Sequence, residues 1–124
     1  MKVFVMTYFS KAALDISLGM LKKVSKIDDE NIVILSLNAG KEVEEYLTEQ
    51  NSYKYILADE NDSYGMVLNT AIGEFVEEGE NVAIINEGIS CFSDSFELAE
   101  KYIVDEKAGA VVFTKKTSKN TFIM

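Results

Sequence analysis

The sequence predicts a three-layer α/β/α sandwich with a mostly parallel sheet, a Rossmann-like arrangement. Short apolar segments alternate with amphipathic ones along the chain, which is typical of repeated strand–helix units. The clearest strand, residues 31–37, is apolar almost throughout, as expected for a parallel strand covered on both faces. With 124 residues the chain is long enough to bury a core, so we expect a single domain, 1–124.

Each element has its own local pattern. The predicted strands are residues 2–7, 31–37, 53–58, 82–85 and 108–113, and the predicted helices are 11–24, 41–49, 63–78 and 93–104. Ser10 and Ser93 suit the N-caps of the first and fourth helices, and Gly79 is the expected stop of the third. The tail, 115–124, is expected to add an edge strand or to bind a partner.

Composition and charge exclude several function classes. A net charge of −9 argues against a nucleic-acid-binding surface. The chain has no His, which excludes Ser-His-Asp and Cys-His catalysis, and it has no Arg for binding phosphate. The single Cys91 excludes an intramolecular disulfide. Because no apolar run reaches membrane-spanning length and the first residues already form a strand pattern, we expect a cytoplasmic protein without a membrane partner.

Polar residues follow the ends of the predicted strands. Thr7 and Tyr8 end the first strand, Asn38 follows the second, and Asn86 and Glu87 end the fourth. Because ligands of open α/β sheets bind beyond the carboxyl ends of the strands, we expect these residues to share a pocket. Alternation along the fourth strand directs Glu87 away from the side that positions 86 and 88 share.

The order of these polar residues resembles the nucleotide-sugar-binding half of a GT-A glycosyltransferase of the family 2 type. The family's first strand ends in a Pro-Thr-Tyr-Asn-like stretch, and Met6-Thr7-Tyr8-Phe9-Ser10 keeps its Thr and Tyr. The family's Asn-x-Gly turn and the Asn of the next helix correspond to Asn61-Asp62-Ser63 and Asn69. Asn86-Glu87-Gly88 stands where the family has Asp-x-Asp. The resemblance extends to about Phe113 and omits the family's acceptor-binding half.

The resemblance implies a role for each group of residues. Thr7, Tyr8 and Asn38 would hold the nucleoside of a UDP-sugar. Asn61 and Asn69 would orient its ribose-phosphate region. Asn86 and Glu87 would stand where a divalent metal, Mn²⁺ or Mg²⁺, binds in the family. Since the carboxylate dyad and the acceptor half are missing, the expectation is weak nucleotide-sugar binding or a degenerate transferase that is inactive alone.

Two other interpretations stay open. The chain could be a non-enzymatic interaction or assembly protein, as a homo-oligomer or with another protein, using the apolar end Phe122-Ile123-Met124. Alternatively, Cys91 and the segment before it resemble DsrE-like sulfur-relay proteins, in which a thiol near a helix N-terminus becomes nucleophilic. Ordinary structural roles also explain several of these residues: Asn61 and Asp62 are common turn residues, and Asn86-Glu87-Gly88 is a common β-to-α turn.

Overall fold

The computed structural model describes residues 1–91, 93–107, 109–112, 114–116 and 121–123. The chain divides into two compact units, Met1–Ser93 and Asp94–Met124. The first unit alternates strands and helices in the order β1 (Lys2–Thr7), α1 (Lys11–Lys23), β2 (Ile32–Leu37), α2 (Lys41–Glu49), β3 (Lys54–Ala58), α3 (Tyr64–Phe75) and β4 (Val82–Asn86). A short 3₁₀ turn, Asp29–Asn31, precedes β2. The predicted α/β alternation is therefore confirmed in this unit.

The four strands form one parallel sheet in the order β3-β2-β1-β4. β1 lies at the centre, where Val5 is paired with Ile34 of β2 and with Ile85 of β4. The chain builds outward from β1 to β3 and then crosses back to the other side of β1. This reversal creates a topological switch point between β1 and β4, the position where open α/β sheets bind ligands. The predicted Rossmann-like class is confirmed.

Helices cover both faces of the sheet. On one face Val67 and Ala71 of α3 join a buried apolar cluster whose strand members are Phe4, Met6, Val33, Leu35 and Ala58. The buried residues of α1 and α2, such as Leu14 and Leu47, are not part of this cluster. Right-handed crossovers place these two helices on the opposite face. The first unit therefore has the predicted three layers.

Serine side chains cap the N-termini of two of these helices. Ser10 Oγ accepts a hydrogen bond from Ala13 N at 3.1 Å, which confirms the predicted cap of α1. Ser63 Oγ caps α3 in the same way. However, α3 ends at Phe75 rather than at residue 78, because Val76 turns into an extended conformation and packs against the core. Gly79, with a φ of +79°, serves the turn before β4 and does not stop the helix.

The second unit contains α4 (Ser95–Asp105) and two short strands, β5 (Thr114–Lys116) and β6 (Thr121–Ile123). β5 and β6 pair antiparallel in a sheet of their own. The predicted strand at 108–113 is wrong over its described residues 109–112, which form neither helix nor strand. Alanine and glycine have low β propensity, and Val112 is 60% exposed where a buried strand was expected.

Two further predictions concern the second unit. The N-cap of α4 is Asp94 rather than Ser93, and its side chain makes no capping hydrogen bond. The apolar surface predicted at residues 122–124 rests on side chains outside the described residues. Within the part of the chain that the structure describes, every helix is too short or too polar to cross a membrane.

Candidate functional site

Polar residues from β1 and β4 meet at the switch point on both faces of the sheet. Phe4 and Met6 of β1 belong to the cluster under α3, and Tyr8 packs against the same cluster. Because Met6 is paired with Asn86, Tyr8 and Asn86 lie on this face. Thr7 and Glu87 occupy the alternate positions and lie on the α1 face. The site therefore consists of one polar pair on each side of the sheet.

The Glu87 carboxylate holds the loop between β1 and α1. Its Oε2 accepts hydrogen bonds from Thr7 Oγ1 at 2.9 Å and from Ser10 N at 3.2 Å, and its Oε1 accepts one from Phe9 N at 3.1 Å. The Glu87 backbone N–H donates to Met6 O at 2.8 Å, which continues the strand pairing. A carboxylate offers about four acceptor positions, so these three hydrogen bonds leave little room for another ligand.

The turn after β4 is attached to α1. Gly88 has a φ of +83° and donates its N–H to Ala13 O at 3.0 Å. The buried Ser17 of α1 donates to Ile89 O at 3.2 Å and also approaches Asn86 O at 3.5 Å. Sequence reasoning missed Ser17, although a serine among the leucines of the buried helix face was the available signal. The turn is held by backbone and side-chain contacts together.

On the α3 face the Tyr8 hydroxyl donates to Asn86 Oδ1 at 3.0 Å. Partial burial raises the pKa of Tyr8 above its ordinary value of 10.0, and the neighbouring Tyr64 and Glu87 raise this pKa further. Two aromatic side chains of adjoining segments are open to solvent: Phe9, which follows Tyr8, is 81% exposed, and Tyr64, the first residue of α3, is 46% exposed. We call Tyr8, Phe9 and Tyr64 the aromatic rim. Within this rim, Tyr8 is the residue that contacts Asn86, through its hydroxyl.

Asn38 lies at the same edge of the sheet, in the turn between β2 and α2. β1 lies between β2 and β4, and Tyr8 follows β1. Asn38 follows β2 and Asn86 ends β4, so the two asparagines lie on either side of Tyr8 along the edge. Asn38 is exposed and has a φ of +57°, a left-handed conformation that asparagine tolerates better than most residues. The turn alone thus accounts for an asparagine here. The structure places Thr7, Tyr8, Asn38, Asn86 and Glu87 at one edge of the sheet, with Thr7 and Glu87 on the face opposite to Tyr8 and Asn86. The pocket that these residues are predicted to share stays a prediction.

Two asparagines are predicted to orient the ribose and phosphates; Asn61 lies at the carboxyl edge of the sheet beyond β3, and Asn69 lies on α3. Asn61 is in the turn before α3, where its N–H donates to Asp59 Oδ1 at 2.7 Å. Asp59 N in turn donates to Asp62 Oδ2 at 3.0 Å, so the turn satisfies its own backbone. Asn69 is exposed on α3, two residues from each of the buried Val67 and Ala71. At 100° per residue it therefore faces away from the sheet.

The other predicted chemistry concerns a metal and a thiol. Among the described residues, no three Asp, Glu, His or Cys side chains gather closely enough to hold a metal ion. Asn86 Oδ1 and both Glu87 oxygens already accept hydrogen bonds from the protein. Cys91 is half-buried, and this burial raises the pKa of its thiol above the ordinary value of 9.0. A higher pKa reduces the reactive thiolate at neutral pH.

No family model, no curated protein and no solved structure matches this chain.

Proposed function

We propose that this chain is a small GT-A-like module that binds a nucleotide sugar weakly and does not transfer the sugar by itself. The observation that carries the proposal is the contact between Tyr8 and Asn86 at the switch point of a parallel sheet. In this fold class the switch point is the place where nucleotides bind. The contact places the Asn86 amide next to the aromatic side chain of Tyr8.

The aromatic rim and the strand-end amides suit the nucleoside part of the ligand. Exposed aromatic rings stack on nucleobases whatever the base, and each stacked base is worth about 1–3 kcal/mol. Since Asn86 Oδ1 accepts from Tyr8, the Asn86 amide nitrogen is left as a donor for a base or ribose oxygen. Asn38, on the other side of Tyr8, would supply a second amide.

The same geometry supports binding without catalysis. Transfer from a nucleoside diphosphate needs the charge of the leaving group to be neutralised, usually by a divalent metal. The only carboxylate of the Asn86-Glu87-Gly88 turn is that of Glu87, which is engaged by the β1–α1 loop. We therefore expect Mn²⁺ or Mg²⁺ to add little to the affinity. Asn61 would contribute only if a bound ligand reached the turn after β3, and Asn69 only if it reached α3.

Thermal melting with uridine, UDP and UDP-glucose, each with and without Mn²⁺, tests this proposal. The midpoint should rise at millimolar ligand and should change little on adding Mn²⁺. Asn86→Ala should abolish the rise, whereas Asn51→Ala, an exposed asparagine in the loop between α2 and β3, should leave it unchanged. Asn69→Ala should reduce the rise only if the ligand reaches α3, and it should leave the rise unchanged if the ligand is confined to the strand ends. Unchanged midpoints of the wild-type protein with all three ligands would refute nucleotide-sugar binding.

A further inference from the structure

The N-terminus of α1 already holds an anionic group, and that group is the protein's own. Phe9 N and Ser10 N, the amides that lead into α1, both donate to the Glu87 carboxylate. The side chain of Ser10 accepts from Ala13 N in the first turn. Free N–H groups and the positive end of the helix dipole normally make such a terminus attractive to phosphate. Here the carboxylate of Glu87, the residue after β4, binds the two amides that precede α1.

A phosphate approaching this terminus would meet two obstacles. Phe9 N and Ser10 N would first have to give up their charge-assisted hydrogen bonds to Glu87. The Glu87 charge would then remain a few ångströms from the phosphate and repel it. The buried hydroxyl of Thr7 adds a third donor that keeps the carboxylate in position.

The nearest lysine in the sequence does not compensate for this repulsion. Lys11, the first residue of α1, pairs with Asp15 at 2.6 Å, and its Nζ lies 4.1 Å from the centre of the Tyr46 ring on α2. Both partners hold its charge on the side of α1 that faces α2. The sequence contains no arginine that could replace it. Neither Lys11 nor an arginine is therefore available to neutralise a phosphate at this terminus.

We propose that Glu87 determines which part of a nucleotide this site accepts, by excluding phosphate from the N-terminus of α1. The site then binds the uncharged nucleoside, and the diphosphate of a bound nucleotide sugar lies away from α1. This inference rests on the proposed function and specifies it. Glu87 acts here as a specificity-determining residue through the space and charge of its carboxylate.

Isothermal titration of the wild-type protein with uridine, UDP and inorganic phosphate at constant ionic strength is the first test. UDP should bind within about fivefold of uridine, the range expected when phosphate contacts are limited to exposed side chains. Inorganic phosphate should not bind at millimolar concentration. Binding of phosphate to the wild-type protein, or a preference for UDP much above that range, would overturn the inference.

Glu87→Gln provides the second test, with Glu60→Gln as the matched control. Glu60 is an exposed acid in the turn after β3, so its variant loses the same net charge without altering α1. In Glu87→Gln, phosphate should raise the melting midpoint and the UDP-to-uridine affinity ratio should increase about tenfold, equivalent to about 1.4 kcal/mol. Glu60→Gln should behave as the wild type, and equal phosphate responses in the two variants would contradict the inference.

The two proposals fail in different ways. If neither uridine nor UDP binds, the proposed function is wrong, whereas the phosphate response of Glu87→Gln still decides the role of Glu87. If Glu87→Gln does not fold, the wild-type comparison of uridine, UDP and phosphate decides alone.

Discussion

Thr7 donates its hydroxyl to Glu87 Oε2 at 2.9 Å across the switch point between β1 and β4. Thr7 is fully buried, and Glu87 also accepts two backbone N–H groups of the β1–α1 loop. The side chain of Glu87, the residue after β4, thereby joins the end of β1 to the start of α1. The proposed binding edge is therefore joined to α1 by hydrogen bonds on one face of the sheet, and on the α3 face it carries the Tyr8–Asn86 contact.

Thr7→Val should destabilise the protein by about 1–2 kcal/mol, because it keeps the shape of the side chain but removes a donor to a charged acceptor. Urea denaturation measures the loss. Thr70→Val, which alters an exposed threonine of α3, should stay within about 0.5 kcal/mol of the wild type. A double-mutant cycle with Glu87→Gln should show coupling between the two side chains. Because glutamine keeps an acceptor oxygen, additive effects would mean that the charge of Glu87 adds nothing measurable to the hydrogen bond.

Tyr8→Phe removes the hydroxyl that binds Asn86 and should cost about 0.5–1 kcal/mol of stability at neutral pH. The folded state raises the pKa of Tyr8, so the stabilisation by its neutral hydroxyl is complete below pH 10.0 and is lost as the pH rises through the raised value. The stability difference between wild type and Tyr8→Phe should therefore shrink above pH 10.0. Absorbance titration of both proteins identifies the Tyr8 ionisation, and a Tyr8 pKa at or below 10.0 would contradict the geometry.

Gly88→Ala should destabilise the turn after β4 by about 1–2 kcal/mol, since left-handed backbone is costly for an L-residue with a side chain. Gly88 has a φ of +83°, and an added Cβ would lie 3.6 Å from the Ala13 Cβ. Gly73→Ala is the matched control in the interior of α3, where the same change has open space. It should stabilise the protein by about 0.4–1 kcal/mol. Thermal melting of the two variants should therefore give shifts of opposite sign.

The strands and helices of the first unit could be predicted from the sequence because local sequence patterns determine them. A continuous apolar run produced β2, and Ser10 marked the start of α1 as predicted. The prediction of a strand at 108–113 failed because two valines and a phenylalanine after Ala-Gly-Ala do not by themselves provide a neighbouring strand to pair with. Local pattern thus predicts elements that carry a strong periodicity and fails where tertiary pairing decides.

The candidate site was predictable in outline but not in its contacts. The alternation of side chains along a strand predicted that Asn86 and Glu87 point to opposite faces of the sheet. The shared carboxyl edge of parallel strands predicted that both lie near Tyr8 and Asn38. The contacts of Glu87 with Thr7 and Ser10 join residues 80 and 77 positions apart, and nothing in the local sequence encodes such a pairing. The contact of Ser17 with Ile89 spans 72 positions and was missed for the same reason.

Glu80→Gln should lower the free energy of unfolding at neutral pH and should change it little in acid. Glu80 accepts from Glu77 N at 3.1 Å and pairs with the N-terminal amine at 3.5 Å and with Lys2 at 3.7 Å. The hydrogen bond from Glu77 contributes most, and these partners together lower the pKa of Glu80 below 4.5. A lowered pKa gives stability that is present above pH 4.5 and lost as the pH falls through the folded-state value. Urea denaturation from pH 7 to pH 3 should show the free energies of unfolding of the wild type and Glu80→Gln becoming equal as the pH falls. Glu78→Gln, an exposed neighbour, is the control. A constant difference across that range would show that charge is not involved.

Cys91 should react with iodoacetamide more slowly in the folded protein at pH 7 than in the same chain unfolded in urea. Burial raises the pKa of its thiol above 9.0, so the thiolate that attacks the reagent is scarce at pH 7, and burial also limits access. The rate in the folded protein should increase as the pH rises beyond 9.0. Because Cys91 is the only cysteine, mass spectrometry of the intact protein follows its alkylation without interference. The sulfur-relay interpretation makes the opposite forecast, since a relay thiol must be activated at neutral pH. Faster alkylation in the folded state would therefore favour the relay and would contradict the inactive, half-buried thiol described above.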